Sequence, residues 1–253
     1  MMTGLVDTSV FCGTWPFRPL SIRTPKALKA HLSERGVARA WITAVEAILC
    51  PDPMQANEPL FEDVRGDDFF VPVALLDLSL ATWKADARTC LEKGGARAFK
   101  LAPNYHSYEL SDACTDELAQ WASEANVPVC VQMRVLDERS HHPLMLTPGV
   151  DAGALAELAT RHPKTRFLAC AAYQADLKAL IPAANVWVET SFVESGQALK
   201  NAVDVLGPER LVFGSHSPLY YFEAGAAKLD VDETDVPAEQ VQAIASENAA
   251  SLL

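Results

Sequence analysis

RLVFGSHSPL, residues 210–219, sets how the rest of the chain is read. Leu211, Val212 and Phe213 form a short apolar run of the kind that makes a buried strand. Gly214 and Ser215 end it, and His216 stands at its mouth just before Ser217-Pro218. Seven similar runs precede it: GLVDTSVF (4–11), ARAWITAV (38–45), FFVPVALLD (69–77), ARAFKLA (96–102), VPVCVQMR (127–134), RFLACAA (166–172) and NVWVETS (185–191). The stretches between them carry helical periodicity and helix-start residues: Thr24-Pro25 before KALKAHLSERG, Asp151 before AGALAELATRH, Ser195 before GQALKNAVDVLG, and Pro237 before AEQVQAIASENAASLL. Gly36 and Gly207 fall where glycine commonly ends a helix. Strands alternating with helices predict a parallel sheet. Eight such units in 253 residues predict a closed (β/α)8 TIM barrel, α/β in class, forming a single domain over residues 1–253. An open dinucleotide-binding sheet would want a G-x-G-x-x-G turn after the first strand, and FCGTWPFRPL has none.

Composition narrows the function. The 33 acidic residues outnumber the 21 basic ones, for a net charge of −12, and no basic cluster stands out. Nucleic acid and anionic membranes are therefore not expected as partners. The six cysteines (Cys12, Cys50, Cys90, Cys114, Cys130 and Cys170) show no C-x-x-C spacing and sit largely in apolar runs, as buried thiols of a reducing compartment do. MMTGLVDTS lacks the pattern of a secretory leader, so a cytoplasmic protein is expected.

In a barrel the functional groups lie at the carboxyl ends of the strands, and alternation divides each strand between lumen and helix layer. Lys100 then faces inward with Ala96 and Ala98. Cys130, Gln132 and Arg134 share the inner side of the fifth strand, Leu168 and Cys170 that of the sixth, Val212, Gly214 and His216 that of the eighth, and Asp7, Ser9 and Phe11 that of the first. Asp7, Ser9, Lys100, Gln132, Arg134, Cys170 and His216 are thus expected around one cavity. Singly, each is open to a structural explanation, an Asp7–Lys100 pair or a satisfied core histidine among them; as a set they point to a binding site.

These strand ends resemble the amidohydrolase-related family, the "amidohydrolase 2" group of metal-dependent TIM-barrel hydrolases and decarboxylases that includes the aminocarboxymuconate-semialdehyde decarboxylase type. The resemblance spans nearly the whole chain: D-x-H-x-H against VDTSVF, G-x-K-x-x-P against ARAFKLAP, the fifth- and sixth-strand patterns against NVPVCVQ and TRFLACAA, and, most specifically, an FGSDsP strand against FGSHSP with a terminal NAASLL. It implies metal ligands at positions filled here by Ser9, Phe11, Gln132, Cys170 and His216. Of the quoted motif framework only Asp7 and Lys100 are retained. Phenylalanine offers zinc no donor, while serine and glutamine are poor ones. No cofactor and no family-type metal site are therefore expected, and a rearranged Cys170, His216 and Asp7 site is the remaining metal alternative.

His216 is expected to titrate near neutrality and act as acid or base, with Asp7 and Lys100 completing the catalytic group. Arg134 and Lys100 would draw a carboxylate or phosphate, Gln132 would orient a carbonyl, and Cys170 would act as a nucleophile only with a lowered pKa. Rim loops add candidates: Arg139, His141 and His142 in RVLDERSHHPLMLTP (134–148), and Trp15, Phe17 and Arg18 in TWPFRPL (14–20), whose aromatics would close over a ligand or form a homo-oligomer contact. Two functional expectations follow. One is a metal-independent hydrolase or carbon–carbon lyase acting on a small anionic molecule; the other is a non-catalytic relative that binds a ligand or partner.

Overall fold

The computed structural model describes residues 3–141, 144 and 146–253. Eight strands run in chain order around one sheet: β1 (Leu5–Cys12), β2 (Val37–Ala44), β3 (Phe70–Leu76), β4 (Ala98–Leu101), β5 (Val129–Gln132), β6 (Phe167–Cys170), β7 (Val186–Glu189) and β8 (Leu211–Val212). All neighbouring pairs are parallel. The segment after β8 closes the ring onto β1: Thr8 N donates to Phe213 O at 2.9 Å, His216 N to Ser9 O at 2.9 Å and Phe11 N to Ser217 O at 2.7 Å. The expected (β/α)8 barrel is the architecture observed.

Outside the strands lie α1 (Pro25–Ser33), α2 (Met54–Asp63), α3 (Trp83–Glu92), α4 (Pro103–His106), α5 (Ala113–Glu124), α6 (Ala152–Arg161), α7 (Ala198–Leu206), α8 (Phe222–Ala226) and α9 (Ala238–Gln242). Thr24 and Asp151 cap as their sequence positions suggest, accepting from Ala27 N and Gly153 N. Ser195 does not: α7 begins three residues later, and Ser195 Oγ instead accepts from Asn201 Nδ2 at 2.9 Å. The single helix expected after Pro237 is α9 followed by a wide turn (Ala243–Glu247) and a tight one (Asn248–Leu252). Between β6 and β7 a short 3₁₀ turn (Asp176–Leu180) serves as the crossover. No helix among the described residues is long and apolar enough to cross a membrane.

Inside the ring, Trp41, Val71, Val73, Ala98, Cys130, Leu168, Cys170 and Val212 pack with Val6 and Trp187, closed from one side by Ala249 and Leu252. Each valine and leucine among them contributes about 1.5–3 kcal/mol by leaving water, so this plug fixes which face of every strand looks inward. Two residues on, the same faces present Thr43, Lys100, Gln132 and Glu189 at the carboxyl ends, all buried.

Candidate functional site

The first strand breaks the expected alternation. Asp7 matches Ala40 and Val10 matches Ile42, three residues of β1 against two of β2, and it is Val6 that joins the inner plug. Asp7 therefore hangs in the seam between β1 and β8, where its Oδ1 accepts from Ser9 N (3.2 Å) and Ser215 N (3.0 Å) while Oδ2 is buried without a partner. No ion pair joins it to Lys100. Burial, helped by the charge of Glu189 and opposed by hydrogen bonds from Ser215 and Ser9, pushes the Asp7 carboxyl up to about 7.

Lys100 occupies the lumen as alternation predicts. It is 1% exposed, its Nζ lies 4.6 Å from the centroid of the Phe11 ring, and no hydrogen-bond partner reaches that nitrogen. Phe11 stands against His216, ring centroids 4.9 Å apart and edge-on; Phe192 and Tyr220 meet the same imidazole at 5.0 and 5.6 Å. His216 Nε2 lies 2.8 Å from Val135 O, and a carbonyl only accepts, so Nε2 carries the proton and Nδ1 is the bare, buried nitrogen. Enclosure drives its pKa down to about 3, with Lys100 and Arg18 adding to the effect. The expectation of a histidine titrating near neutrality is thereby overturned: three rings exclude the water that an imidazolium needs, and Asp7 is the group near 7 instead.

Gln132 donates to Arg134 O at 2.6 Å and leaves Oε1 buried and unpartnered. Cys170 lies beside Cys130, whose hydrogen bond, together with burial, holds the Cys170 thiol well above its ordinary range, against a role as thiolate nucleophile. Ser9 contributes a buried, unpartnered Oγ.

The remaining expected site residues lie elsewhere. Past the end of β5 the chain turns, and Arg134 goes to the rim rather than the lumen. There it pairs with Asp176 (2.6 Å) and Glu138 (2.9 Å), and its guanidinium lies 3.9 Å from the Tyr173 ring centroid. Arg139 is exposed and bridges Asp137 (2.5 Å) to Glu194 (2.9 Å). Both arginines are thus occupied by carboxylates rather than free for a ligand. His141 lines a rim cavity of about 520 Å³ with Trp15, Phe17, Tyr105, Leu136 and Leu146. His142 lies outside the described residues.

Glu189 is a site residue that the sequence reading does not single out, although alternation from Val186 and Val188 marks it. Wholly buried, its carboxylate accepts from Ala171 N (2.5 Å), Ser191 N (2.6 Å) and Ser191 Oγ (2.7 Å). A β-carbon on Gly214 would stand 2.4 Å from Glu189 Oε2 and 3.0 Å from its Cβ. Gly214→Ala is accordingly expected to cost about 2–3 kcal/mol in urea unfolding, because the hydrogen-bonded carboxylate has no room to retreat.

Among the described residues no three His, Cys, Asp or Glu side chains converge as metal ligands. Cys170 is turned to Cys130, His216 to Val135 O and Asp7 to the seam, so the rearranged site is not assembled. At two of the positions where the resemblance implies metal ligands stand Phe11 and Gln132, with the amine of Lys100 over the Phe11 ring. A family-type metal does not fit these residues.

No curated protein matches the sequence. Among solved structures, 2,6-dihydroxybenzoate decarboxylase from Rhizobium superposes with a TM-score of 0.77 at 14% identity, covering 99% of this chain and 98% of that one. Dihydroxybenzoic acid decarboxylase from Polaromonas sp. JS666, a structure with bound manganese and the inhibitor 2-nitroresorcinol, gives 0.78 at 15%, covering 99% and 97%. The 5-carboxyvanillate decarboxylase of Sphingomonas paucimobilis gives 0.76 at 13%, covering 98% of each chain. At such identities the likeness is one of fold. The amidohydrolase family model, however, matches residues 25–253, nearly the whole sequence, and the chain belongs to the amidohydrolase family.

Proposed function

We propose that the chain is a carbon–carbon lyase that decarboxylates a small carboxylic acid, holding the carboxylate on Lys100. The observation that carries this reading is the buried lumen in which Lys100 Nζ, Gln132 Oε1, Thr43 Oγ1 and His216 Nδ1 are all without partners, a set complementary to one small anion bearing a hydrogen-bond donor. Decarboxylation is preferred to hydrolysis because it needs a proton donor and no activated water, and His216, its pKa held down to about 3, is a poor base for the latter. In the proposed reaction the bond to the carboxyl carbon breaks, CO2 leaves, and the electron pair left behind takes a proton. Asp7, in the adjoining seam between β1 and β8, is the proposed reservoir of that proton, which in this reading reaches the lumen through the buried, unpartnered Ser9 hydroxyl. Asp7 is coupled to the His216 turn through Ser9, whose N–H donates to Asp7 and whose carbonyl accepts from His216 N. No step is routed through a metal. The relatives crystallised as decarboxylases of hydroxylated benzoates support the reaction class. The rim cavity, lined chiefly by apolar side chains, supports a ligand with an apolar body.

The sealed lumen and weakly basic His216 favour a second reading, a carboxylate-binding protein without turnover. One experiment separates the two: a panel of small aromatic and aliphatic carboxylates is screened by thermal shift and by mass spectrometry of the products. A lyase raises the wild-type melting temperature and releases CO2, Asp7→Asn keeps the shift and loses the product, and Lys100→Met loses both. A wild-type shift with no product sinks the lyase and leaves the binder. Turnover that requires added manganese and stops with a chelator sinks the metal-free assignment.

A further inference from the structure

Two acidic side chains, from β1 and β7, end against the same short piece of backbone. Glu189 presses on Gly214, occupying the volume a side chain there would need, and the next residue, Ser215, donates its N–H to Asp7 Oδ1. Gly214-Ser215 is thus clasped between two carboxyl groups, both wholly buried. Their hydrogen bonding is unequal. Glu189 has three donors committed to it, from the end of β6 and the turn after β7, whereas Asp7 has donors on Oδ1 alone and a bare Oδ2. Lys228 Nζ braces the same turn from outside, donating to Thr190 O (2.7 Å) and Ser191 O (2.5 Å).

We propose that Glu189 is a positioning residue for Asp7: it fixes the strand end from which Asp7 is held and supplies the negative charge that Asp7 faces. Three backbone and hydroxyl donors hold that charge still, and the glycine lets it come close; a carboxyl group beside a fixed like charge keeps its proton more tightly. Burial remains the larger cause of the elevated Asp7 pKa, and Glu189 adds to it. The other charged or titratable groups around the pair are Lys100 from β4, the Cys130 and Cys170 thiols from β5 and β6, His216 beyond β8, and Lys228 with Glu194 on the β7 side. The inference stands on this geometry and not on the proposed reaction, since its test reads the proton on Asp7 and not turnover.

The test follows the side-chain carboxyl carbon of Asp7 by NMR across pH in aspartate-labelled protein, with Asp7→Asn assigning the signal. Glu189→Gln, which keeps shape and removes charge, is expected to lower the Asp7 titration midpoint by about 0.5 in pH or more, while Glu189→Asp, which restores charge, returns it toward the wild-type value. An unchanged midpoint in a folded Glu189→Gln protein overturns the proposal, because a purely structural glutamate would leave the titration where it was. If the glutamine variant fails to fold, Ser191→Ala takes its place. Removing one hydroxyl donor leaves the Glu189 charge less screened and is expected to raise the midpoint, and no movement there overturns the proposal equally.

Discussion

Asp7→Asn should gain stability on the wild type as the pH rises, the difference growing by about 4 kcal/mol between pH 4 and pH 7 and then levelling. The sign follows from proton linkage: the carboxyl titrates near 3.8 in the unfolded chain and about 7 in the fold. Across that window the native state holds a proton that the unfolded state has released, and raising the pH removes the advantage. A tenfold difference in proton affinity between the folded and unfolded chain corresponds to about 1.4 kcal/mol. His216 gives the opposite slope. Its pKa falls from 6.5 unfolded to about 3 folded, so the native state resists protonation and loses stability as the pH drops from 6.5 toward 3, by a total of about 5 kcal/mol. Urea titrations of wild type, Asp7→Asn and His216→Asn at closely spaced pH values check both; asparagine suits the positive φ at position 216. In the wild type the two contributions nearly cancel between pH 4 and 6.5, so each single variant should show a slope the parent lacks. Parallel pH profiles for all three proteins would mean that neither group is held in the state described.

Lys100→Met should make the protein more stable and unable to bind a carboxylate. The amine is buried with no hydrogen bond or ion pair, a state that costs about 1–3 kcal/mol or more for a charged group. Methionine fills much the same volume without that penalty. Loss of the contact with the Phe11 ring returns part of the gain, about 1 kcal/mol, leaving a net stabilisation of up to about 2 kcal/mol. For a chain of this size that is a rise of up to about 8 °C in melting temperature. A binding site that tolerates such a residue trades stability for a ligand contact. If Lys100→Met is less stable than the wild type, or if it binds carboxylates as well, the lumen amine is a structural strut and the proposed function loses its anchor.

The barrel is legible in the sequence because its signal is repeated eight times, once per strand, and small errors at strand ends do not disturb it. Lys100, Gln132 and Cys170 are legible for the same reason: their strands are regular, so parity gives their direction. Parity misplaces Asp7 because the extra β1 residue between Asp7 and Val10 leaves no mark in a single sequence. Glu189 follows the ordinary parity of NVWVETS and is open to the same argument. Arg134 and Arg139 lie past the regular strands, and their partners Asp176 and Glu194 are more than 40 residues away in the chain. The pKa of His216 is out of reach of the sequence because Phe11, Phe192 and Tyr220 come from separate segments and meet only in the fold.

That ring enclosure has a spectroscopic consequence. Aromatic faces and edges standing about 5 Å from an imidazole displace the magnetic shielding of its carbon-bound protons, so the two His216 signals should fall outside the crowded histidine region of a proton NMR spectrum. Any molecule that enters the lumen, or any movement of Val135 away from Nε2, would shift those two lines first, and the protein would report occupancy of its own interior without a label.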